Sequence, residues 1–227
     1  MVTYNSIKFN NIVDKITQTL QENKIDIQDA EETVPIIVMH NIAKYLQSSL
    51  EPVCKFASVS CPKCGNIHLI PMESTYKRNI IFRIGNILLK FKITIPRLIC
   101  ENCSSTHAVL PDFCIPFKQY SNECILSVAE EASITSTEKV ADKLNIEPKQ
   151  VRRLVNIVKA NKNNILLIYQ MYKNKFNENI DLSFKLYILI QALPSNITEL
   201  YFIQFKSIFL YLQNKRKIYI NYQKLLN

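Results

Sequence analysis

Apolar positions recur along this chain with two different periods, and the switch between them marks out its elements. Ile12, Val13, Ile16 and Leu20 fall at helical spacing, and a second apolar run opens after Pro35 with Ile36, Ile37, Val38 and Met39. That run continues through Ile42, Ala43, Tyr45 and Leu46, so residues 1–50 read as helical. The acidic, polar stretch from Asp26 to Thr33 separates the two as a loop or short linker. The period then changes. Residues 79–84 and 87–95 are rich in β-branched and aromatic side chains and flank Gly85-Asn86, which predicts a two-stranded hairpin bracketed by Pro71 and Pro96. From Thr106 to Phe117 the chain is apolar, but Pro111 and Pro116 forbid a regular helix and predict an irregular strap over its neighbours.

Helical spacing returns at Asn122. Residues 122–132 predict a lead helix with Ile125, Leu126, Val128 and Ala129 apolar. Thr135 with Glu138 three residues later forms a capping-box pattern for a second helix, whose apolar face is Val140, Ala141 and Leu144. Asn145 stands at the turn, where it tolerates a left-handed backbone, and Ile146 points inward. Pro148 opens a third helix at a position where its missing N–H costs nothing, with Val151, Leu154 and Val155 completing the core face. This is helix-turn-helix spacing, although a purely structural three-helix unit shares the periodicity. Lys149, Gln150, Arg152, Arg153, Asn156 and Lys159 are left pointing outward, side chains suited to guanine, adenine and phosphate. Further helices are predicted at 165–175, 182–193, 198–214 and 215–226. Phe202, Phe205, Ile208, Phe209 and Leu212 share one face suited to a core or a homodimer contact, and Lys215-Arg216-Lys217 forms a short basic run.

The cysteines add chemistry to this frame. Cys61-Pro62-Lys63-Cys64 and Cys100-Glu101-Asn102-Cys103 are two Cys-x-x-Cys pairs, and each offers two thiolates from one tight knuckle. Four such sulfurs make the tetrahedral shell that suits a structural Zn²⁺. The 35 residues between the pairs contain the predicted hairpin, and a hairpin between two knuckles reads as a zinc ribbon. Gly65 and Gly85 fall where positive φ is useful, while Ser104 takes the corresponding place after the second knuckle. A redox reading would need one Cys-x-x-Cys beside a βαβ pattern, which the sequence lacks. Cys54, Cys114 and Cys124 share no ligand spacing and read as small buried apolar residues. His68 and His107 lie near the knuckles; either could replace a thiolate, and the plainer expectation is a surface or hydrogen-bonded histidine.

Composition sets outer limits. A chain of 227 residues, 48% hydrophobic, holds one large or two to three small domains. It has no long uninterrupted apolar run and no basic start followed by an apolar core, which predicts neither membrane span nor secretory signal. Seven cysteines, four in metal spacing, fit a reducing compartment, so a cytoplasmic, nucleoid-associated location is expected. The net charge of +9 is unevenly placed: residues 1–145 carry 15 Lys/Arg and 15 Asp/Glu, whereas residues 146–227 carry 13 and 4. An excess confined to the last third is the footprint expected for a polyanion such as double-stranded DNA.

Cys61-Pro62-x-Cys64-Gly65, the hairpin, Arg97-x-x-Cys100-x-x-Cys103, then Thr106-His107-Ala108, Leu110-Pro111-Asp112-Phe113 and Ile115-Pro116 together carry a resemblance. Over roughly residues 55–160 the chain resembles an uncharacterised Firmicutes zinc-ribbon family. There a transposase-type ribbon precedes a helix-turn-helix, often in mobile-element settings. The resemblance implies a DNA-associated protein related to the N-terminal zinc ribbon of insertion-sequence transposases, and supplies no activity. A cut-and-paste transposase needs about three carboxylates to hold two metal ions. Only Glu147, Glu178, Asp181 and Glu199 follow position 145, and there is no Gly-rich phosphate loop or Gly-x-Ser-x-Gly. The chain therefore reads as a non-enzyme with no small-molecule substrate. The expected fold is α+β, mainly α: an N-terminal helical segment (1–51), a zinc ribbon and strap (52–117), a helix-turn-helix (118–162) and a basic helical region (163–227). The expected function is zinc-dependent, sequence-specific DNA binding, as a transcriptional regulator or an accessory factor of a mobile element or phage. The alternative is an adaptor that binds a protein such as RNA polymerase or a phage component.

Overall fold

A long β-hairpin stands between two hydrophobic cores and touches both. In the computed structural model, which describes residues 2–4, 9–29, 33–50, 61, 63–111 and 113–172 together with Ile190, Leu193 and Leu210, the architecture is α+β. Its elements run β1 (Val2–Tyr4), α1 (Phe9–Glu22), α2 (Ile36–Leu50), β2 (Leu69–Pro71), β3 (Tyr76–Ile84), β4 (Ile87–Ile95), β5 (Arg97–Cys100), β6 (Thr106–Pro111), α3 (Asn122–Ile134), α4 (Thr137–Lys143) and α5 (Pro148–Tyr172). Residues 2–4 are thus strand, not helix; Val-Thr-Tyr has strand-forming side chains and finds a parallel partner in β6. Cys54 and the helices expected at 182–193, 198–214 and 215–226, with Phe202, Phe205, Ile208, Phe209, Leu212 and Lys215-Arg216-Lys217, lie outside the described residues apart from those three isolated positions.

The hairpin forms as its alternation dictates. Ile87, Leu89, Phe91, Ile93 and Ile95 of β4 are buried, as are Ile80, Phe82 and Ile84 of β3, so every second side chain faces the same core. Direct cross-strand pairs such as Phe82↔Leu89 and Ile80↔Phe91 fix the register, and Phe82 meets Phe91 edge-on at 6.0 Å and Phe113 at 5.4 Å. Ile12, Ile16 and Leu20 of α1 and Val38, Ile42 and Leu46 of α2 close this core from the opposite side. The core therefore runs across the 51/52 position. Gly85 makes the turn, with φ +59; a Cβ there would lie 2.1 Å from the Ile27 carbonyl oxygen. The loop after α1 is more than a linker: Ile27 O accepts the Asn86 N–H (2.7 Å), and the Asn86 side chain donates to Gln28 O (2.6 Å).

The second core belongs to α3, α4 and α5. Cys124, Ile125, Val128 and Ala129 pack with Val140, Ala141 and Leu144 and with Val151, Leu154, Val158 and Ile165. Leu88 and Tyr120 on the outer side of the hairpin also pack here. Arg83 of β3 and Lys143 of α4 both grip Glu131 of α3, the latter at 2.7 Å, and so tie hairpin and helices together. Two details differ from the sequence expectation. The cap of α4 is Ser136, whose side chain accepts from Lys139 N, while Thr135 ends α3 by bonding back to Glu131 O. The helix expected to begin near 165 is a continuation of α5, for no Pro or Gly interrupts 149–172 and the buried Asn161 donates within the helix to Ile157 O (2.8 Å).

Candidate metal centre and the adjoining helical surface

The two Cys-x-x-Cys pairs fold into matching loops. Cys61 N donates to Asn66 O (2.6 Å) and Gly65 N to Cys61 O (2.8 Å); Cys100 N donates to Ser105 O (3.0 Å) and Ser104 N to Cys100 O (2.9 Å). The fourth residue after each leading cysteine turns through positive φ, Gly65 at +76 and Ser104 at +53. Serine thus adopts the backbone glycine finds easy, and the second loop closes like the first. β2 and β5 bring the loops together, with Leu69↔Cys100 and Pro71↔Leu98 paired, and β6 flanks β5 in a sheet of order β1-β6-β5-β2. The hairpin expected to carry the cysteines directly is a separate two-stranded sheet; the short strands β2, β5 and β6 hold them instead.

All four Sγ atoms lie within 4.8 Å of one another, with Cys61–Cys103 at 3.6 Å and Cys64–Cys100 at 3.5 Å, and none is in a disulfide. A tetrahedral sulfur shell with metal–sulfur distances of about 2.3 Å has edges of about 3.8 Å, so this donor set fits a metal ion. Cys61 and Cys100 are buried, Cys103 is half-buried and Cys64 is exposed. Burial pushes the Cys61 thiol up to about 11, against backbone donors at Cys64 and Lys63. Hydrogen bonds from the side chain and backbone of Ser105 bring Cys103 down to about 6, and the Asn66 N–H lowers Cys64. His107, on β6, stands with Nε2 3.3 Å from Cys61 Sγ. Burial lowers its pKa to about 4, so the ring is neutral near pH 7 and one nitrogen can donate to the sulfur. It lies outside the four-sulfur cluster, and His68 is exposed. The partner role of His107 was visible in sequence only as a histidine four residues past Cys103. Cys114 and Cys124 are buried away from the cluster, as expected, and burial raises the Cys124 thiol to about 12.

α4 ends in a double-bonded C-cap: Asn145 (φ +50) donates to Asp142 O (3.2 Å) and Ile146 to Ala141 O (3.0 Å), after which Pro148 starts α5. Of the six outward residues expected on α5, Lys149, Arg152, Arg153, Asn156 and Lys159 are exposed on one stretch of helix. Gln150 is half-buried and accepts from the Tyr120 hydroxyl (3.3 Å). Arg152 pairs with Glu138 at 3.2 Å, and among the described residues Lys149, Arg153 and Lys159 have no carboxylate in ion-pair reach. Of the described residues, no helix is long and apolar enough to cross a membrane.

A protein-family model described as a domain of unknown function, DUF6431, matches residues 61–148. The match takes in both cysteine loops, the hairpin, α3 and α4, and stops at the first residue of α5. No curated protein and no solved structure matches the chain.

Proposed function

We propose that this chain is a zinc-dependent, double-stranded DNA-binding protein, in which the Cys61, Cys64, Cys100 and Cys103 unit is a structural zinc ribbon and α3–α5 a helix-turn-helix. The observation that carries the reading is α4–turn–α5: a short capped helix, a left-handed Asn145, and a following helix whose first turns expose Lys149, Arg152, Arg153 and Asn156. Such a helix enters a major groove with its N-terminal residues deepest, arginine and asparagine reading base edges and lysine holding phosphate. Arg152 would exchange Glu138 for DNA at small cost, because an exposed pair is worth at most about 1 kcal/mol. Zinc supplies rigidity to a small sheet whose own apolar cluster, among the described residues, is Leu98, Val109 and Leu69. A regulator or a mobile-element accessory factor would each use such a surface.

Fluorescence anisotropy on a labelled duplex tests this. Binding should weaken steeply with salt and be lost in the Arg152→Ala/Arg153→Ala double variant, and salt-insensitive binding or an unaffected variant would overturn it. One observation favours a protein-binding adaptor instead: Ile67 and Ile70 are exposed beside the metal unit, and β2 is the outer strand of its sheet. Co-purification of a partner that survives high salt, without duplex binding, would establish that reading.

A further inference from the structure

Summed along the sequence, residues 1–145 are neutral, yet between Glu73 and Glu101 the chain carries six Lys/Arg and no Asp/Glu. The structure sorts these six. Arg78 is spent on the Ile115 and Lys118 carbonyls, Arg83 on Glu131, and Arg97 donates to Thr106 (2.8 Å). Lys77, Lys90 and Lys92 are exposed, and among the described residues none has a carboxylate in ion-pair reach. All three lie on the hairpin face opposite the buried Ile80, Phe82, Leu89 and Phe91, in the paired rows Lys77↔Thr94, Asn79↔Lys92 and Ile81↔Lys90.

This face leads directly to α5. Residues 119–121 lie along the edge of β3, with Ile81 N donating to Gln119 O (2.7 Å) and Ser121 N to Ile81 O (2.9 Å). Tyr120 pairs with Ile81 as Lys90 does from the other side, so Lys90, Ile81 and Tyr120 form one row on one face. The Tyr120 hydroxyl then reaches Gln150, in the first turn of α5. We propose that the outer face of the β3–β4 hairpin is a second duplex-contact surface, on which Lys77, Lys90 and Lys92 hold the phosphate backbone of the DNA that α5 enters. The surface suits phosphate better than a protein. Its cations are flexible point charges flanked by Asn79 and Thr94, and the aromatic ring of that row, Tyr120, is half-buried against the helical core and committed to Gln150. These contacts carry no sequence information; they set position and add affinity.

The inference rests on the duplex-binding reading, and one salt series on the full chain separates the two. Wild type, Lys77→Ala/Lys90→Ala/Lys92→Ala, and a charge-matched control, Lys15→Ala/Lys24→Ala/Lys44→Ala, are titrated with a short random-sequence duplex. The control residues are exposed in and just after α1 and in α2, which cover the other face of the hairpin. The hairpin variant should lose about 2–3 from the slope of log K against log salt, with affinity falling alike for all sequences. The control should keep the wild-type slope, and thermal melts should match because every altered side chain is exposed. A hairpin variant that keeps the wild-type slope, or loses no more than the control, overturns this inference and leaves α5 as the reader. A wild-type chain that ignores duplex DNA overturns both.

Discussion

Phe117 occupies a backbone conformation that suits its side chain poorly. Lys118 N donates to Ile115 O (3.1 Å), closing a turn with Pro116 and Phe117 at its centre, and Phe117 sits at φ +60 with 85% of its surface exposed. That position in such a turn favours Gly or Asn, and a left-handed bulky residue costs about 1–2 kcal/mol. Phe117→Asn should therefore raise stability by about 1 kcal/mol, read as a higher denaturation midpoint; a fall would show that the ring contributes more than its conformation costs. Cys61 makes the other prediction at this scale. Its buried thiol, at about 11, is protonated near pH 7 and must release that proton to ligate a metal, whereas Cys103, at about 6, is already largely thiolate. Zn²⁺ affinity should thus climb as pH rises from about 6 to 9. Calorimetry in buffers of different ionisation enthalpy counts the protons released, and a pH-independent affinity would contradict the assignment. Cysteine spacing made the four-sulfur cluster readable because each pair is local. His107 was less readable, since its approach to Cys61 depends on the pairing of β6 with β5.

Elements were readable where the backbone needs a conformation that few residue types adopt. Gly85-Asn86 between two alternating runs fixed the hairpin turn, and Asn145 before Pro148 fixed the break between α4 and α5. The misread boundaries had competing local options: Thr135 and Ser136 can each cap α4, and Asn161, Asn163 and Asn164 are weak helix formers without being breakers. At the turn, Gly85→Ala meets both obstacles at once, a positive φ and a Cβ 2.1 Å from a backbone oxygen that cannot swing aside. The expected loss is about 2–4 kcal/mol with the loop after α1 displaced, measurable by chemical denaturation. The junction of hairpin and helices depends on Glu131. Burial raises its pKa, but Lys143 and Arg83 together outweigh that and hold it below the ordinary carboxylate range. A depressed folded-state pKa contributes stability above the unfolded value and loses it as pH falls through the folded one. Glu131→Gln should cost about 1–2 kcal/mol at neutral pH, between the exposed and buried cases, and flatten the acid side of the stability profile. An unchanged acid limb would mean that other carboxylates set it.

Across the whole molecule, the four sulfurs and the two hydrophobic cores are distinct sources of order, which sequence reading along the chain merges into one ribbon. The hairpin lies between the cysteine pairs in sequence, yet its buried side chains join α1 and α2, and its turn end leans on α3–α5. Among the described residues the strands that position the thiolates share a much smaller cluster, Leu98, Val109 and Leu69, and reach the hairpin core only through Ala108 and Leu110 of β6. Periodicity reports which face of a strand is buried but not which distant element covers it, and so it could not separate these units. The separation has a measurable consequence. If metal were holding the entire chain, a strong chelator would abolish all structure together. With two apolar cores that do not include the four sulfurs, chelation should instead release amide protection at 61–71 and 97–107 while α1, α2, the hairpin and α3–α5 stay protected. Far-UV helical signal should change little, and protease should cut first near the cysteine loops. Cys61→Ser and Cys100→Ser should give the same pattern with lost metal content, because each removes a buried sulfur of the cluster beside a sheet with little apolar support. Hydrogen exchange resolved along the chain distinguishes the outcomes: uniform loss of protection would place the metal at the centre of the fold, whereas loss confined to the two cysteine segments would show that the metal orders only its own small sheet.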